Sequence, residues 1–393
     1  MDLVAKNNLL SFNYREVSAQ TKGRYSQIQL GRCSESLRAL KMDEPTIKAR
    51  LSTMEHDLVN YRLLNTEDRE DIEKYLRQRG WLREGERVVD VSRAGEGNMN
   101  CTLRVCTEQR SCIAKQSRPW VEKYPSILAP DSRIAMEASF YSSVASTEAV
   151  AMRMPRLLDF DAGQRVMLLE DLGETADFMR IYGASADGDV PLQSLCDWLS
   201  VLHGSQFDRQ TQRALENRDM RLLNHEYIFE LPLQAENGLD LDGFTEGLSA
   251  PARALKEHAQ YAQAVSDLGQ RYLGEGTSLL HGDFYPGSWV ESGNKVWIID
   301  PEFCFFGPAE FDVGVFVAHL LLAGKPLEYA FEVFACYNGP IGFSRHLALG
   351  FTGVEIMRRL LGVAQLPLRA DLKDKKTLLS LSRRLVLEPD YFG

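Results

Sequence analysis

Hydrophobic and polar positions are arranged differently in two parts of the chain. Short apolar segments at 87–91, 101–106, 113–116 and 166–172 are bounded by glycine or charged residues, which is typical of β-strands. From 192 to about 273 the apolar residues recur instead at the three- and four-residue spacing of buried helices. The pattern therefore predicts strands in the first part of the chain and helices in the part that follows.

A glycine-containing turn joins two of the predicted strands. It reads AGEGNMN over residues 94–100, with glycine at Gly95 and Gly97. Because glycine has no Cβ, a turn of this kind lets backbone N–H groups approach a phosphate closely. The chain contains no Walker A sequence GxxxxGK[ST]. The turn is therefore a candidate nucleotide loop of the kinase type, and an ordinary hairpin is the alternative.

A lysine and a glutamate follow this turn at a spacing that a kinase could use. Lys115 lies on the next apolar strand, and Glu137 lies in a helical stretch at 132–142. A lysine on such a strand can pair with nucleotide phosphates, provided that a carboxylate holds it in place. The two residues are therefore predicted to pair, and the alternative is that Glu137 is an exposed helix residue.

Three carboxylates follow short apolar segments later in the chain. Asp283 comes after the apolar pair at 279–280 and a His-Gly dipeptide, and Asp300 and Glu302 follow the apolar strand at 296–299. Kinase-type phosphoryl transfer uses one carboxylate to orient the attacking hydroxyl and others to hold Mg²⁺ on the nucleotide phosphates. The segment between Asp283 and Asp300 is about as long as a hairpin that brings its two ends close together. The acids therefore predict a phosphotransferase site, with solvated loop acids as the alternative.

Composition narrows the classes of protein to which the chain can belong. At 393 residues it is long enough for two lobes, and its net charge of −10 argues against nonspecific binding of nucleic acid. Seven cysteines without a CxxC pair predict free thiols in a reducing compartment. The first residues lack the apolar core of a signal peptide, and the apolar run at 313–323 is too short to span a bilayer. We therefore expect a cytoplasmic protein without a membrane partner.

The residues around the three carboxylates match an ordered family pattern. The chain supplies, in sequence, HGD at 281–283, GS at 287–288, DPEF at 300–303, GP at 307–308, FDVG at 311–314 and E-x-x-R-R-x-x-G-x-A at 355–364. This set resembles the 5-methylthioribose kinase family, and the chain is identified as a divergent member. That family belongs to the aminoglycoside phosphotransferase and choline kinase superfamily, whose members are related to protein kinases.

The resemblance implies an α+β fold with two lobes, of the protein-kinase-like type. Residues 64–172 are expected to form an N-lobe with an antiparallel sheet and helices, which binds the nucleotide. Residues 173–393 are expected to form a larger, mainly helical C-lobe that carries the catalytic and acceptor-binding residues. Residues 1–63 lie outside the resemblance and are expected to form a helical extension.

The resemblance also assigns roles to individual residues. Asp283 is the expected catalytic base and contacts the substrate, while His281 braces its loop through hydrogen bonds. Asp300 and Glu302 are the expected Mg²⁺ ligands. Adjacent residues on a helix point about 100° apart, so we expect one of the two substrate-site arginines to reach the acceptor and the other to pair with an acid. The expected nucleotide-binding residues are Gly95, Gly97, Asn100, Lys115, Glu137, Glu170, Asp171 and Leu172, and the arginines are Arg358 and Arg359.

The function implied by the resemblance is ATP-dependent phosphorylation of the 1-hydroxyl of 5-methylthioribose, a step of methionine salvage. Two alternatives stay open. The first is a kinase of the same fold that acts on another sugar, an amino alcohol or an aminoglycoside. The second is a scaffold that binds nucleotide without catalysis. The expected ligands are ATP, Mg²⁺ and a small-molecule acceptor, and the resemblance is compatible with a homodimer.

Overall fold

The computed structural model describes residues 62–95, 99–125, 127–183 and 189–392. It divides the chain into two compact units. Of the described residues, the first unit comprises those up to Ala135 together with Leu157–Asp171, and the second comprises Met136–Arg156 and those from Leu172 onward. Among the described residues no helix is both long enough and apolar enough to cross a membrane.

The first unit is built on a five-stranded antiparallel sheet, which one helix, α1 (Arg69–Gln78), precedes. The strands are β1 (Val88–Arg93), β2 (Cys101–Thr107), β3 (Ser111–Gln116), β4 (Leu157–Asp161) and β5 (Val166–Glu170). Their order in the sheet is β1-β2-β3-β5-β4. The central strand β3 carries Lys115, which lies opposite Thr102 of β2 and Met167 of β5.

Helix α1 forms because its first turn is capped and one of its faces is apolar. The side chain of Asp68 accepts a hydrogen bond from the backbone N–H of Asp71, which satisfies a donor that the helix leaves unpaired. Ile72 and Leu76 are buried in the core between the helix and the sheet. Each such side chain stabilises the fold by about 1.5–3 kcal/mol. The first unit therefore has a hydrophobic core of its own.

The second unit is mainly helical. Helix α2 (Arg133–Val144) passes into it from the first unit. The later helices are α3 (Glu148–Ala151), α4 (Leu192–Gly204), α5 (Arg209–Ala214), α6 (Arg218–His225), α7 (Leu241–Phe244), α8 (Ser249–Lys256), α9 (Ala259–Leu273), α10 (Glu310–Leu322), α11 (Leu327–Cys336), α12 (Arg345–Leu361) and α13 (Leu372–Leu387). Helix α10 is buried along its whole length, because its sequence is apolar on nearly every side.

Five short strands of the second unit position the loops that carry the acids. The strands are β6 (Ala176–Asp177), β7 (Ser278–Leu280), β8 (Trp289–Ser292), β9 (Lys295–Ile298) and β10 (Phe305–Gly307). Strand β7 pairs antiparallel with β10, and β6, β8 and β9 form a three-stranded antiparallel sheet. Strands β8 and β9 form the hairpin that the spacing of the acids predicted. The predicted α+β class, with an antiparallel sheet and a larger helical part, is confirmed.

Candidate active site

The loop after β7 carries Asp283 and depends on the glycine that precedes it. Gly282 has φ +84°, and a Cβ at this position would lie 2.1 Å from the carbonyl oxygen of Phe303. Both the backbone angle and this close approach require a residue without a side chain. The loop that carries Asp283 therefore rests directly on the backbone that follows Glu302.

His281 braces this loop, as the sequence predicted. Its Nε2–H donates to the carbonyl oxygen of Ile299 (2.9 Å), because a carbonyl can only accept, and its Nδ1 accepts from the backbone N–H of Asp283 (3.3 Å). Burial lowers the pKa of His281. The ring is therefore neutral and both of its nitrogens are engaged, so it ties the loop to the end of β9.

A second histidine, His203, supports the same loop through the carboxylate of Asp312. The carboxylate of Asp312 accepts from the backbone N–H groups of His281 (2.7 Å) and Gly282 (3.0 Å) and from Nε2 of His203 (3.2 Å). Nδ1 of His203 lies 2.7 Å from the hydroxyl of Tyr337. We call the series Tyr337–His203–Asp312 the loop chain. The sequence did not predict it, because Tyr337 and Asp312 lie 134 and 109 residues from His203 along the chain.

The residues just after Asp283 are held by packing and by hydrogen bonds within the loop. Phe284 is buried, and its ring stacks on that of Trp198 with 5.6 Å between the centroids. The hydroxyl of Ser288 donates to the carbonyl oxygen of Asp283 (2.9 Å). Ser288 therefore fixes the backbone of the predicted catalytic residue.

The C-terminal arginine pattern and the Asp283 loop meet in the second unit. Nη2 of Arg359 lies 3.5 Å from Oδ1 of Asp283, and the guanidinium carbon of Arg359 lies 5.0 Å from the ring centroid of Tyr285. Nε of Arg359 donates to Glu355 (2.6 Å), and Nη1 of Arg358 donates to the same carboxylate (3.0 Å). Both arginines pair with an acid, whereas the sequence predicted this for only one of them.

Glu355 has a third partner that the sequence did not reveal. His319 lies fully buried on α10, with Nε2 3.0 Å from Oε1 of Glu355 and Nδ1 in a hydrogen bond with the hydroxyl of Tyr182. We call the series Tyr182–His319–Glu355 the arginine chain, since it ends on Arg358 and Arg359. The histidine was visible in the sequence only as a lone polar residue within an apolar run.

Burial and charge shift the ionisation of these groups. Burial raises the pKa of the Asp283 carboxyl, and the charges of Arg359 and Arg358 oppose this shift. Burial alone would also raise the pKa of Glu355, but Arg358, Arg359 and the hydrogen bond from His319 outweigh it and hold that pKa well below its usual range. Burial lowers the pKa of His319 to about 4. Glu355 is therefore a carboxylate and His319 is neutral at physiological pH.

The predicted metal ligands follow β9. Asp300 has left-handed backbone angles (φ 62°, ψ 50°), and Glu302 lies in a short 3₁₀ turn with little exposure to solvent. The side-chain amide of Asn217 donates to the carbonyl oxygens of Glu302 (2.9 Å) and Cys304 (2.9 Å), which fixes this turn. The part of the chain that the structure describes holds no group of three or more metal-binding side chains. Two carboxylates nevertheless fit Mg²⁺, which commonly takes one or two of them together with phosphate oxygens and water.

The predicted nucleotide residues of the first unit lie along its sheet. Asn100 is buried and accepts from Nε of Arg133 (2.9 Å), and Lys115 is buried on β3. Asp171 is paired with Nε of Arg104 (2.8 Å), a contact that the sequence did not suggest. Gly95 has φ +76°, consistent with the predicted turn.

The remaining nucleotide residues divide between the two units. Glu170 ends β5 in the first unit, whereas Leu172 belongs to the second. Glu137 is buried on α2 and also belongs to the second unit, so its predicted pairing with Lys115 stays a prediction. Gly97 and residues 1–61 of the predicted extension at 1–63 lie outside the described residues.

Comparison with known proteins identifies the family. The model of the phosphotransferase enzyme family matches residues 90–330, which is more than half of the chain. The chain belongs to the phosphotransferase enzyme family. The predicted enzyme class, a phosphotransferase with an alcohol group as acceptor, is confirmed.

Relatives within this phosphotransferase family carry a more specific name. A methylthioribose kinase from Exiguobacterium sibiricum is 25% identical over 327 residues, which cover 71% of this chain and 81% of the relative. A methylthioribose kinase from Klebsiella pneumoniae subsp. pneumoniae is 28% identical over 266 residues, which cover 64% of this chain and 65% of the relative. The resemblance inferred from the sequence motifs is confirmed.

Solved structures of other small-molecule kinases are also similar to this phosphotransferase. A spectinomycin phosphotransferase in complex with ADP and spectinomycin is 11% identical with a TM-score of 0.48, covering 82% of this chain and 98% of that chain. An ethanolamine kinase from Plasmodium vivax is 13% identical with a TM-score of 0.48, covering 87% of this chain and 94% of that chain.

Proposed function

We propose that this phosphotransferase transfers the γ-phosphoryl group of ATP to the 1-hydroxyl of 5-methylthioribose, a step of methionine salvage. The observation that carries the proposal is the 3.5 Å approach of Arg359 to Asp283. It joins the two sequence patterns that resemble methylthioribose kinases, the HGD loop and the paired arginines. The relatives named methylthioribose kinase support the same acceptor.

Asp283 is the proposed catalytic base. Burial raises the pKa of its carboxyl, and a base whose pKa is moved toward the working pH accepts a proton more effectively in the transition state. Its carboxylate would orient the acceptor hydroxyl and take the hydroxyl proton as the oxygen attacks phosphorus. Arg359, held by Glu355, would bind the acceptor beside it. Catalysis of this kind consists of positioning and charge stabilisation.

Asp300 and Glu302 are the proposed ligands of Mg²⁺, which neutralises charge on the phosphates when bound. The proposed nucleotide contacts are the glycine turn, Asn100, Lys115 with Glu137, and the backbone at 170–172. Asn217 would serve this end of the site by fixing the turn that carries Glu302.

A second acceptor class is favoured by one observation. Tyr285, two residues after Asp283, lies against Arg359, with 5.0 Å from the guanidinium carbon to the ring centroid. A large aromatic ring beside the proposed acceptor arginine changes the shape and polarity available to the acceptor. The alternative is therefore the same chemistry on another sugar, an amino alcohol or an aminoglycoside.

The test is ADP release with Mg²⁺-ATP and a panel of 5-methylthioribose, ribose, choline and aminoglycosides. The Asp283→Asn variant controls for contaminating kinases, and Asp267→Asn, an exposed site on α9, controls for the substitution itself. We expect turnover of 5-methylthioribose that Asp283→Asn abolishes and Asp267→Asn leaves intact. If only a different alcohol is turned over, that alcohol replaces 5-methylthioribose as the proposed acceptor. If no alcohol shows Asp283-dependent turnover, the proposed function is wrong.

A further inference from the structure

The hydrogen bonds of His319 fix which of its ring nitrogens carries the proton. Its Nε2 faces the carboxylate of Glu355, which can only accept, so Nε2 must carry the hydrogen. In the neutral ring Nδ1 is then an acceptor, and the hydroxyl of Tyr182 is the donor that it meets. Glu355 therefore sets the tautomer of His319, and Tyr182 supplies the donor that this tautomer needs at Nδ1.

Charge balance around Glu355 favours the same neutral state. The ion pairs next to His319 join two carboxylates, Asp283 and Glu355, with two guanidinium groups, Arg358 and Arg359. The charges of these four groups cancel, and a charged imidazole would add an uncompensated buried cation. His319 therefore supplies a hydrogen bond to Glu355 without changing the net charge.

The contact between Arg359 and Asp283 depends on how Arg359 is held elsewhere. The separation of 3.5 Å from Nη2 to Oδ1 is at the outer limit of a hydrogen bond, whereas Nε lies 2.6 Å from Glu355. The guanidinium position is thus set by Glu355 on one edge and by the ring of Tyr285 on its face. A small shift of Glu355 would move Arg359 toward or away from Asp283.

We propose that His319 is a positioning residue that acts through Glu355 to hold Arg359 at Asp283, and thereby sets the affinity for the acceptor alcohol. Tyr182 shares this role, because its hydroxyl donates to Nδ1 in the tautomer of His319 that donates to Glu355. This inference rests on the proposed function, in which Asp283 receives the acceptor hydroxyl.

The kinetic test separates a positioning role from a general structural one. It measures kcat and both KM values, using the alcohol that the wild-type chain turns over, for His319→Leu, His319→Gln and Tyr182→Phe. Tyr261→Phe is the matched control, because Tyr261 is equally buried and its hydroxyl bonds to Ser382 (2.8 Å) between α9 and α13. A glutamine Nε2 can replace the histidine Nε2–H as a donor to Glu355, so His319→Gln tests rescue.

We expect His319→Leu to raise the acceptor KM roughly tenfold or more, with the KM for ATP changed less than about twofold. His319→Gln should restore much of the loss, Tyr182→Phe should raise the acceptor KM a few-fold, and Tyr261→Phe should raise neither KM. An equal rise in both KM values for Tyr182→Phe and His319→Gln would overturn the inference while leaving the proposed function intact. A wild-type chain that turns over no alcohol would remove both.

A second measurement does not depend on turnover. Nitrogen-15 NMR of the full chain labelled at histidine reports the protonation of each ring nitrogen, and the His319→Gln spectrum assigns the signal of His319. We expect a neutral ring at pH 7 with hydrogen on Nε2. A ring that is protonated on Nδ1 at this pH would contradict the hydrogen-bond direction on which the inference depends.

Discussion

Two Tyr–His–carboxylate chains occur in the described part of the second unit, and they end on different kinds of donor. In the loop chain the carboxylate of Asp312 accepts from two successive backbone N–H groups, at His281 and Gly282. In the arginine chain the carboxylate of Glu355 accepts from two guanidinium groups. The same three residue types therefore hold a segment of backbone in one place and two long side chains in the other.

The difference predicts which kinetic constant a substitution in the loop chain or in the arginine chain should change. Backbone N–H groups belong to the loop that carries Asp283, so a change in the loop chain alters the position of the proposed base itself. Guanidinium groups can move by rotation of their own side chains, so a change in the arginine chain alters what Asp283 faces. We expect the loop chain to affect turnover with every acceptor, and the arginine chain to affect recognition of the acceptor.

The largest expected effect is on stability, in the Glu355→Gln variant. This change removes the buried negative charge that Arg358 and Arg359 share. Removing one partner of a buried ion pair costs about 3–5 kcal/mol, because the remaining charges stay desolvated. Urea unfolding of both proteins measures the difference.

Glu310→Gln is the matched control. Glu310, on α10, is buried like Glu355 on α12, but it accepts from one neutral backbone N–H, that of Ser344 (2.7 Å). Its loss should be about 1 kcal/mol. Equal losses in the two variants would mean that the guanidinium groups are not stabilised by Glu355.

The pH dependence of stability should isolate His319. Burial lowers its pKa from 6.5 to about 4, so between these values the unfolded chain binds a proton that the folded chain excludes. The unfolded state then binds more protons, and stability rises with pH across this window. The contribution is fully present above pH 6.5 and is lost toward pH 4, a difference of about 3 kcal/mol.

His319→Leu should lack this part of the pH dependence, while His281, whose pKa is also lowered, contributes to both proteins equally. The measurement is the free energy of unfolding of wild type and variant at intervals from pH 7 to pH 4. A constant difference between the two across that range would show that His319 takes up its proton in the folded chain as readily as in the unfolded one.

The Asp312→Asn variant should affect turnover more than affinity. An amide offers one acceptor oxygen where the carboxylate serves three donors, so at least one loop N–H loses its partner. A displaced base lowers kcat by roughly a hundredfold, and stability should fall by about 2 kcal/mol. Steady-state kinetics with two different acceptors measures the change, and an increase in acceptor KM with kcat unchanged would contradict the assignment of Asp312 to the loop.

The smallest expected effect comes from the two tyrosine hydroxyls. Tyr337→Phe and Tyr182→Phe each remove one buried hydrogen bond to a histidine Nδ1, at about 1 kcal/mol. Thermal unfolding should therefore detect two similar losses. Kinetics should distinguish them, with the acceptor KM raised in Tyr182→Phe alone. The opposite result, an acceptor KM raised in Tyr337→Phe alone, would mean that the loop chain and not the arginine chain governs recognition of the acceptor.

The sequence predicted the loops that carry the three acids because the pattern that marks each loop lies within a few residues of the acid. Asp283, Asp300 and Glu302 each follow an apolar strand within a few residues, and the intervening hairpin appears in the spacing. Asp312 was part of the recognised FDVG pattern, although its hydrogen bonds to the Asp283 loop were not foreseen. The roles of these acids in catalysis and metal binding stay predictions.

The partners of His203 and His319 could not be predicted from the sequence because they are distant along the chain. Tyr337 and Asp312 lie 134 and 109 residues from His203, and Tyr182 lies 137 residues from His319. No periodic pattern links residues at such separations. For His319 a weaker signal was available, since a lone histidine within the apolar run at 313–323 is expected to be buried, and buried polar atoms need partners.

The close contact at Gly282 has a consequence for engineering the acceptor specificity of this phosphotransferase. With 2.1 Å between a hypothetical Cβ on Gly282 and the Phe303 carbonyl oxygen, the backbones on either side of the β8–β9 hairpin are in direct contact, and Gly282 has no side chain that could adjust their fit. A graft from a relative that exchanged one segment alone would bring together two backbones shaped for different neighbours. Recombination between relatives should therefore treat residues 281–304 as one cassette, with crossover points outside it.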